Sequence, residues 1–292
     1  MLALLVLTAV ARSATTTEVS AFPGRNGLIA FRYSPPGNPL STAIYGVKPD
    51  GTGRRRLSEN GVWINPVWSP DGRHLLAEHL SEEDPWGTIY ILTPGRRPHK
   101  LTRGSEGDWS PDGRRVVFEC PSTSGLCLID VTGRRRKMLT QNYDRYPAWS
   151  PRGQRIAFSR EPAALKNASL STISADGSHA RRIADLSETN GVPLSWSPDG
   201  KTIAFVDHGT AHGAVFDKIE VIHADGSFRR TVPLRNRRPL SVVWSPDGRF
   251  LAFLAGSKPR WLYIIRADGH AVRKITRVDY NGSRASWQPL HG

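Results

Sequence analysis

Apolar and β-branched residues fall in short runs along this chain, and each run is closed by a polar turn rich in proline, aspartate and glycine. Pro66-Val67-Trp68-Ser69 leads into Pro70-Asp71-Gly72, where proline fixes φ at the first corner and glycine supplies the left-handed position. The runs Arg73 to Glu78 and Thr88 to Leu92 carry the residues expected of half-buried strands. A second turn follows at Pro94-Gly95, and roughly Pro98 to Thr102 forms a fourth strand. One unit is therefore four strands joined by tight turns.

The unit recurs. Trp-Ser-Pro-Asp-Gly-Arg or a close variant stands at Trp68, Trp109, Trp149, Trp196 and Trp244, with a worn copy at Trp287, where Gln288 replaces the serine. These tryptophans lie 41, 40, 47, 48 and 43 residues apart, a period that predicts stacked supersecondary units of propeller type. The second turn recurs at Asp50-Gly51, Pro94-Gly95, Thr132-Gly133, Asp176-Gly177, Asp225-Gly226 and Asp268-Gly269, which predicts six blades. Gly27 to Tyr33 reads as a second strand, so the first blade lacks its inner one; Arg284 to Gln288, containing Trp287, can supply it. The expected fold is all-β: a six-bladed propeller of four-stranded blades over 23–292. Its ring is closed by the C-terminal strand joining the N-terminal blade, which leaves no long open sheet edge.

These residues resemble the TolB-like six-bladed propellers, built of WD40-like (PD40) repeats. Their Trp-Ser-Pro-Asp-Gly-Lys/Arg-x-Ile-Ala-Phe motif also occurs in the propellers of prolyl-oligopeptidase and dipeptidyl-peptidase relatives. The resemblance covers about residues 23 to 290 and is closest at Lys201-Thr202-Ile203-Ala204-Phe205 and Arg249-Phe250-Leu251-Ala252-Phe253, with Arg114-Arg115-Val116-Val117-Phe118 in the third unit. The fourth unit departs from it, with Arg152 where the turn aspartate belongs. The resemblance implies an architecture and a binding scaffold in the bacterial cell envelope; it names no reaction, since propellers host many unrelated activities. In that family a separate N-terminal domain accompanies the propeller, and the expectation is that none precedes Pro23 here. The Gly-x-Ser-x-Gly elbow of hydrolase domains attached to related propellers is absent, and the chain stops at Gly292. The expectation is a non-enzymatic, monomeric protein-binding propeller without a cofactor. The alternative is a small hydrolase or sugar-acting enzyme with a metal or polar site at the channel mouth.

Leu2 to Val10 is a short apolar run followed by Ala11-Arg12-Ser13-Ala14. It reads as a secretory signal over 1–14, followed by a short leader over 15–22, so a periplasmic or secreted protein is expected. No segment approaches the roughly 20 apolar residues of a membrane-spanning helix. Cys120 and Cys127, the two cysteines of the chain, flank a loop between strands that should pair. In an oxidising compartment a bond there closes a loop of about eight residues and contributes roughly 2 to 3 kcal/mol; two unlinked thiols are the competing reading.

The formal charge is +14, from 40 Lys and Arg against 26 Asp and Glu, and the excess follows the repeat. Arg54-Arg55-Arg56, Arg96-Arg97, Arg134-Arg135-Arg136-Lys137, Arg181-Arg182, Arg229-Arg230 and Arg273-Lys274 each fall at the start of an outer strand, forming a basic belt. The belt can attract an acidic polymer or anionic surface, or it can serve to protect exposed edge strands. No nucleic-acid motif accompanies it.

Candidate chemistry lies in the loops that the topology gathers on one face. Trp63 and Trp86, with Tyr143, Tyr146, Arg145 and Asp144, form a set that can anchor a partner or fold back over the blade tops. Arg235, Arg237, Arg238, Arg277 and Arg284 can ring the channel mouth and bind an anion, with Asp185, Glu188 and Asp279 as neutralising alternatives. Asp207, His208 and His212, read as one long loop of the fifth blade, offer metal-ligating groups, with a chance grouping as the plainer reading.

Overall fold

The computed structural model describes residues 23–34, 42–84, 86–121, 124–161, 168–187, 193–211, 214–235, 237–257, 259–278 and 284–291. The signal and leader read at 1–22 lie outside them. The strands in chain order are β1 (Arg25–Tyr33), β2 (Ala43–Val47), β3 (Arg55–Arg56), β4 (Val62–Trp68), β5 (Leu75–Leu80), β6 (Thr88–Leu92) and β7 (His99–Arg103). They continue as β8 (Ser105–Trp109), β9 (Arg115–Glu119), β10 (Leu126–Asp130), β11 (Lys137–Met138), β12 (Asp144–Trp149), β13 (Arg155–Arg160), β14 (Ser169–Ser174) and β15 (Arg181–Asp185). The last two blades hold β16 (Leu194–Trp196), β17 (Thr202–Ala211), β18 (Ala214–His223), β19 (Arg229–Val232), β20 (Pro239–Trp244), β21 (Phe250–Ala255), β22 (Arg260–Arg266) and β23 (Arg273–Val278), and β24 (Ser286–Leu290) ends the chain. They form six antiparallel four-stranded sheets. Blade 1 takes its inner strand from the far end of the chain: β24 pairs with β1 through Ile29 opposite Trp287 and Ala30 opposite Ser286.

The repeated motif is explained by its turn. Ser69 Oγ donates to Asp71 Oδ1 at 2.5 Å and accepts from His74 N at 2.9 Å, while Asp71 Oδ1 accepts from Arg73 N at 3.0 Å. Ser110 with Asp112, Ser197 with Asp199 and Ser245 with Asp247 repeat the arrangement. Glycine closes each turn at positive φ, 68° at Gly72, a region an L side chain resists. In blade 4, Ser150 Oγ still accepts from Arg155 N at 3.1 Å, but Arg152 has no carboxylate to complete the turn. Arg152→Asp is therefore expected to stabilise the protein by about 1 kcal/mol, the worth of one or two net hydrogen bonds. A urea-unfolding midpoint unchanged or lowered by the substitution would rule this out.

Hydrophobic layers lie between neighbouring blades. One joins Phe31 and Val47 of blade 1 to Leu254 and Leu262 of blade 6, and another joins Val117 and Leu126 of blade 3 to Trp149 of blade 4. Around the channel two kinds of junction occur. Between blades 1 and 2, 3 and 4, and 5 and 6, the residue before one tryptophan accepts the backbone N–H of the next: Ser286 from Trp68 at 2.9 Å, Asp108 from Trp149 at 2.6 Å and Ser195 from Trp244 at 3.0 Å. Two of the three intervening junctions use the indole, Trp109 Nε1 donating to Val67 O at 3.1 Å and Trp196 Nε1 to Ala148 O at 3.0 Å; between blades 6 and 1 the Trp287 indole N–H makes no such bond among the described residues.

The basic belt has a structural role at the outer rim. Lys137, Arg181, Arg230 and Arg273 each donate to a backbone carbonyl in the second turn of the following blade, at Asp176, Asp225, Ala267 and Pro49 respectively. These latches give part of the charge a cause internal to the ring.

Several residues expected in loops lie on strands: Asp144, Arg145 and Tyr146 open β12, and Arg277 lies within β23. Trp63 lies within β4, because Val62-Trp63-Ile64 continues the apolar run inward of the bulge. Asp207 and His208 lie within β17, which pairs with β18 over a hairpin longer than those of the other blades. Among the described residues no helix is long and apolar enough to cross a membrane.

Candidate functional site

The connections between second and third strands and those between blades emerge at one end of the ring, here called the top. There the inner strands do not run straight. β4, β8 and β12 each carry a register shift just before the repeat tryptophan, and Asn65, Glu106 and Tyr146 sit there at φ of 50°, 51° and 52°. Left-handed backbone in non-glycine residues costs energy and persists where the surroundings over-determine it. A bulge also re-aims its side chain, and these three residues occupy the same position, three before the tryptophan, in consecutive blades.

The result is a compact acidic network at the channel mouth. Asn65 Nδ2 donates to Glu78 Oε1 at 3.0 Å and to Glu106 Oε1 at 2.6 Å, and Glu106 N donates to Glu78 Oε1 at 2.6 Å. Tyr146 N donates to Glu119 Oε1 at 2.9 Å, and Ser105 Oγ to Glu119 Oε2 at 3.3 Å. Arg284, at the corresponding position of blade 1, brings Nε within 3.8 Å of Glu106 Oε2 and donates through Nη2 to Gly107 O. Below it, Asp108 and Arg284 both line the narrow channel cavity of about 50 Å³.

Burial decides the protonation of this network. It pushes Glu78 up to about 8, helped by the charge of Glu106, and it pushes Glu119 up to about 7 with the same neighbour contributing. Asp108 rises to about 6 and Glu106 also rises, burial outweighing the opposing pull of Arg284 in both. The Tyr146 hydroxyl is pushed up to about 12 by burial and by the two nearby glutamates. Carboxyl groups that hold protons near neutrality can act as hydrogen-bond donors as well as acceptors.

Of the residues singled out from the sequence as a partner-binding set, the structure brings most but not all together. Trp86, Tyr143, Asp144 and Arg145 line one open cleft of about 350 Å³ with Glu119 and Cys120. Trp86 is 70% exposed and Tyr143 52%. Arg145 is an exposed partner of Glu161 at 3.3 Å. Asp144 is buried and held by Arg160 through Nε at 2.7 Å and Nη2 at 2.9 Å, so it braces the cleft from below. Tyr146 belongs to the acidic network beneath. Trp63 is elsewhere: 4% exposed, it packs edge-on against His79 at 4.6 Å and Tyr90 at 5.3 Å. Cys120 and Cys127 are joined by a disulfide across the ends of β9 and β10, with Cα atoms 5.5 Å apart, on the wall of the same cleft.

The arginines do not form a ring. Only Arg284 lines the channel among the described residues. Arg238 pairs with Asp217 at 2.6 Å, Arg237 donates to Leu234 O at 3.0 Å, and Arg235 and Arg277 are exposed. Asp185 pairs with Arg182, and Glu188 and Asp279 lie outside the described residues. The metal grouping is likewise separated. Asp207 and His208 are neighbours on one strand, and neighbouring strand residues point to opposite faces. Accordingly Asp207 meets Ser187 at 2.8 Å and Arg229 at 2.8 Å, while His208 meets Asp217 at 2.7 Å. His212 lies outside the described residues, and among those described no group of three or more metal-ligating side chains occurs.

Glu78, Glu106, Asp108 and Glu119 were not singled out from the sequence. A signal was present: aligned on the repeat, Glu78 and Glu119 share a second-strand position with Arg32, Ser159, Val206 and Leu254. A carboxylate that interrupts an apolar run at a fixed repeat position is a buried-polar flag.

No family model matches the chain, and no curated protein does. Solved structures do. TolB from Acinetobacter baumannii superposes with a TM-score of 0.70 at 18% identity, covering 90% of this chain and 67% of that one. A protein assigned as TolB from Agrobacterium tumefaciens gives 0.66 at 18% identity, covering 87% and 89%. A chain of the nidogen/laminin complex gives 0.66 at 14% identity, covering 89% and 98%. At these identities the likeness is one of architecture: this chain has the fold of the TolB-like six-bladed propellers.

Proposed function

We propose that this chain is an exported, non-catalytic propeller whose top face holds a protein partner, with Trp86 and Tyr143 as the anchoring side chains. The observation that carries the reading is the pair of exposed aromatics flanking one cleft. Large aromatic anchors beside an arginine are the composition of interface hot spots. The cleft is also stiffened: the disulfide ties its wall, and buried Asp144, paired with half-buried Arg160, fixes the strand that carries Arg145. A disulfide persists in oxidising compartments, which supports the reading of the N-terminal run as an export signal. The TolB-like fold, and its likeness to one chain of the nidogen/laminin complex, support the binding role by analogy. The basic belt is the weaker binding surface, because its members are partly committed to the rim latches.

The test is affinity capture from an envelope extract, using the chain from Ala14 onward, at low and high salt. Capture is expected to survive high salt and to fall about tenfold or more in Trp86→Ala/Tyr143→Ala, the loss of two anchor side chains. Both side chains are exposed, so thermal unfolding should be unchanged. Capture that the double variant retains, or that salt alone abolishes, would exclude this face and point to the belt.

A further inference from the structure

At the end of the ring opposite the top face, blades 2 and 3 part to leave a cavity of about 650 Å³, within the range of small-ligand sites. Its walls are apolar, with Trp109, Ile91, Val131, Pro70 and Pro111 prominent, and Asp71 and Asp112 stand on its lining. Among its described lining residues none is lysine or arginine, in a chain of formal charge +14.

The repeat supplies its own comparison. The cleft between blades 4 and 5 is built from the same positions, with Trp196 for Trp109, Arg152 for Asp71 and Arg155 for His74. Both indoles turn the same way, each donating to a carbonyl of the preceding blade. There Arg152, Arg155 and Arg181 line a smaller space of about 250 Å³. Between blades 3 and 4, Arg115, at the position of His74, lies over the Trp149 ring at 5.1 Å, a favourable cation–π arrangement. In blade 2 the corresponding side chain is His74, held to Thr93 Oγ1 at 2.8 Å. The cleft between blades 2 and 3 thus keeps the tryptophan, has Asp71 and His74 where its counterpart has Arg152 and Arg155, and leaves Asp112 beside open space.

We propose that this cleft is a binding site for a small organic cation with an aromatic or apolar body, the body lying against Trp109 and the prolines and the cationic head between Asp71 and Asp112. Oδ1 of each aspartate is taken by its turn serine and by a backbone N–H, which leaves Oδ2 for the ligand. Both carboxyls are held below their ordinary value: burial opposes this, but the serine hydroxyl and the backbone N–H outweigh it. They are therefore charged at neutral pH.

Calorimetric titration with benzamidine, beside its neutral isostere benzamide, tests the site. A fragment of this size in a good pocket binds with a Kd of roughly 0.1 to 1 mM. Benzamide is expected to bind about tenfold more weakly, a difference of about 1.4 kcal/mol. His74→Arg introduces the side chain that Arg115 and Arg155 provide elsewhere, fills the cleft from within, and should weaken benzamidine about tenfold or more. Asp112→Asn keeps an Oδ1 acceptor for the turn while removing the charge, and should weaken benzamidine without affecting benzamide. No saturable binding up to about 10 mM, equal affinity for the two probes, or unchanged affinity in both variants would overturn the proposal.

Discussion

Replacing Arg284 with methionine is expected to destabilise the protein by about 3 to 5 kcal/mol at pH 8, the cost of removing one partner from a buried ionic group. The guanidinium lies against Glu106, at 3.8 Å from Oε2, and its field opposes the rise of Glu78, Glu106 and Asp108. Without it those carboxylates face one another with burial uncompensated. The loss should shrink by half or more at pH 5, where the folded protein already holds protons on most of them. Glu106→Gln in the same chain should recover much of it. Urea unfolding of the single and double variants at both pH values measures this as a coupling energy. Equal losses at the two pH values, with no recovery in the double variant, would mean that Arg284 acts through packing alone.

Glu78→Gln should have the opposite sign. The Glu78 carboxyl sits at about 8 in the folded protein and at its ordinary 4.5 in the unfolded chain. Between those values the folded state holds a proton that the unfolded state has released. The stabilisation is complete below about 4.5 and is lost as pH rises toward 8. At 1.36 kcal/mol per pH unit the ceiling is roughly 5 kcal/mol, and sharing with Glu106 brings the expected gain of the glutamine variant at pH 8.5 to about 2 kcal/mol. The substituted amide retains an oxygen to accept from Asn65 Nδ2 and Glu106 N, so the geometry survives. The variant and the parent should converge at pH 5; a glutamine variant less stable at pH 8.5 would show that ionised Glu78 is favoured. The turn aspartates work the other way. Asp71 and Asp112 are held low, so their contribution is present above their ordinary range and lost as pH falls. Together the two sets place the stability maximum on the mildly acid side of neutral.

The architecture was legible because it is written six times. Trp-Ser-Pro-Asp-Gly encodes a specific turn whose hydrogen bonds are local, so it can be read without knowing the distant neighbours, and even its exception at Arg152 is local. Ring closure was legible for the same reason, since Trp287 marks the strand missing at the start. The site was less so. Trp86 and Tyr143 could be grouped because each falls on a connection whose end of the ring is set by topology. Trp63 could not be placed, because the boundary between a connection and the inner strand depends on a bulge, and the strand begins earlier than the turn signals suggest. Asp207 and His208 read as loop because the β17–β18 hairpin is longer than its counterparts. The acidic network was hidden by distance: Asn65, Glu106, Tyr146 and Arg284 are separated by about one repeat or more, and only the closed ring sets them side by side.

The pairing of β24 with β1 also governs when the molecule can be finished. Leu28 N donates to Gln288 Oε1 across 260 residues at 3.1 Å, so the first blade has no inner strand until β24 has been made. Blades 2 to 6 can each zip from local hairpins, whereas the final seam must wait for the slowest and most entropically demanding loop closure in the molecule. The nascent chain is therefore an open arc with a bare edge on β1. The rate-limiting event in refolding should be the meeting of the two ends, and the time spent before that meeting is the interval in which the chain is most accessible to chaperones and most exposed to pairing with another copy of itself.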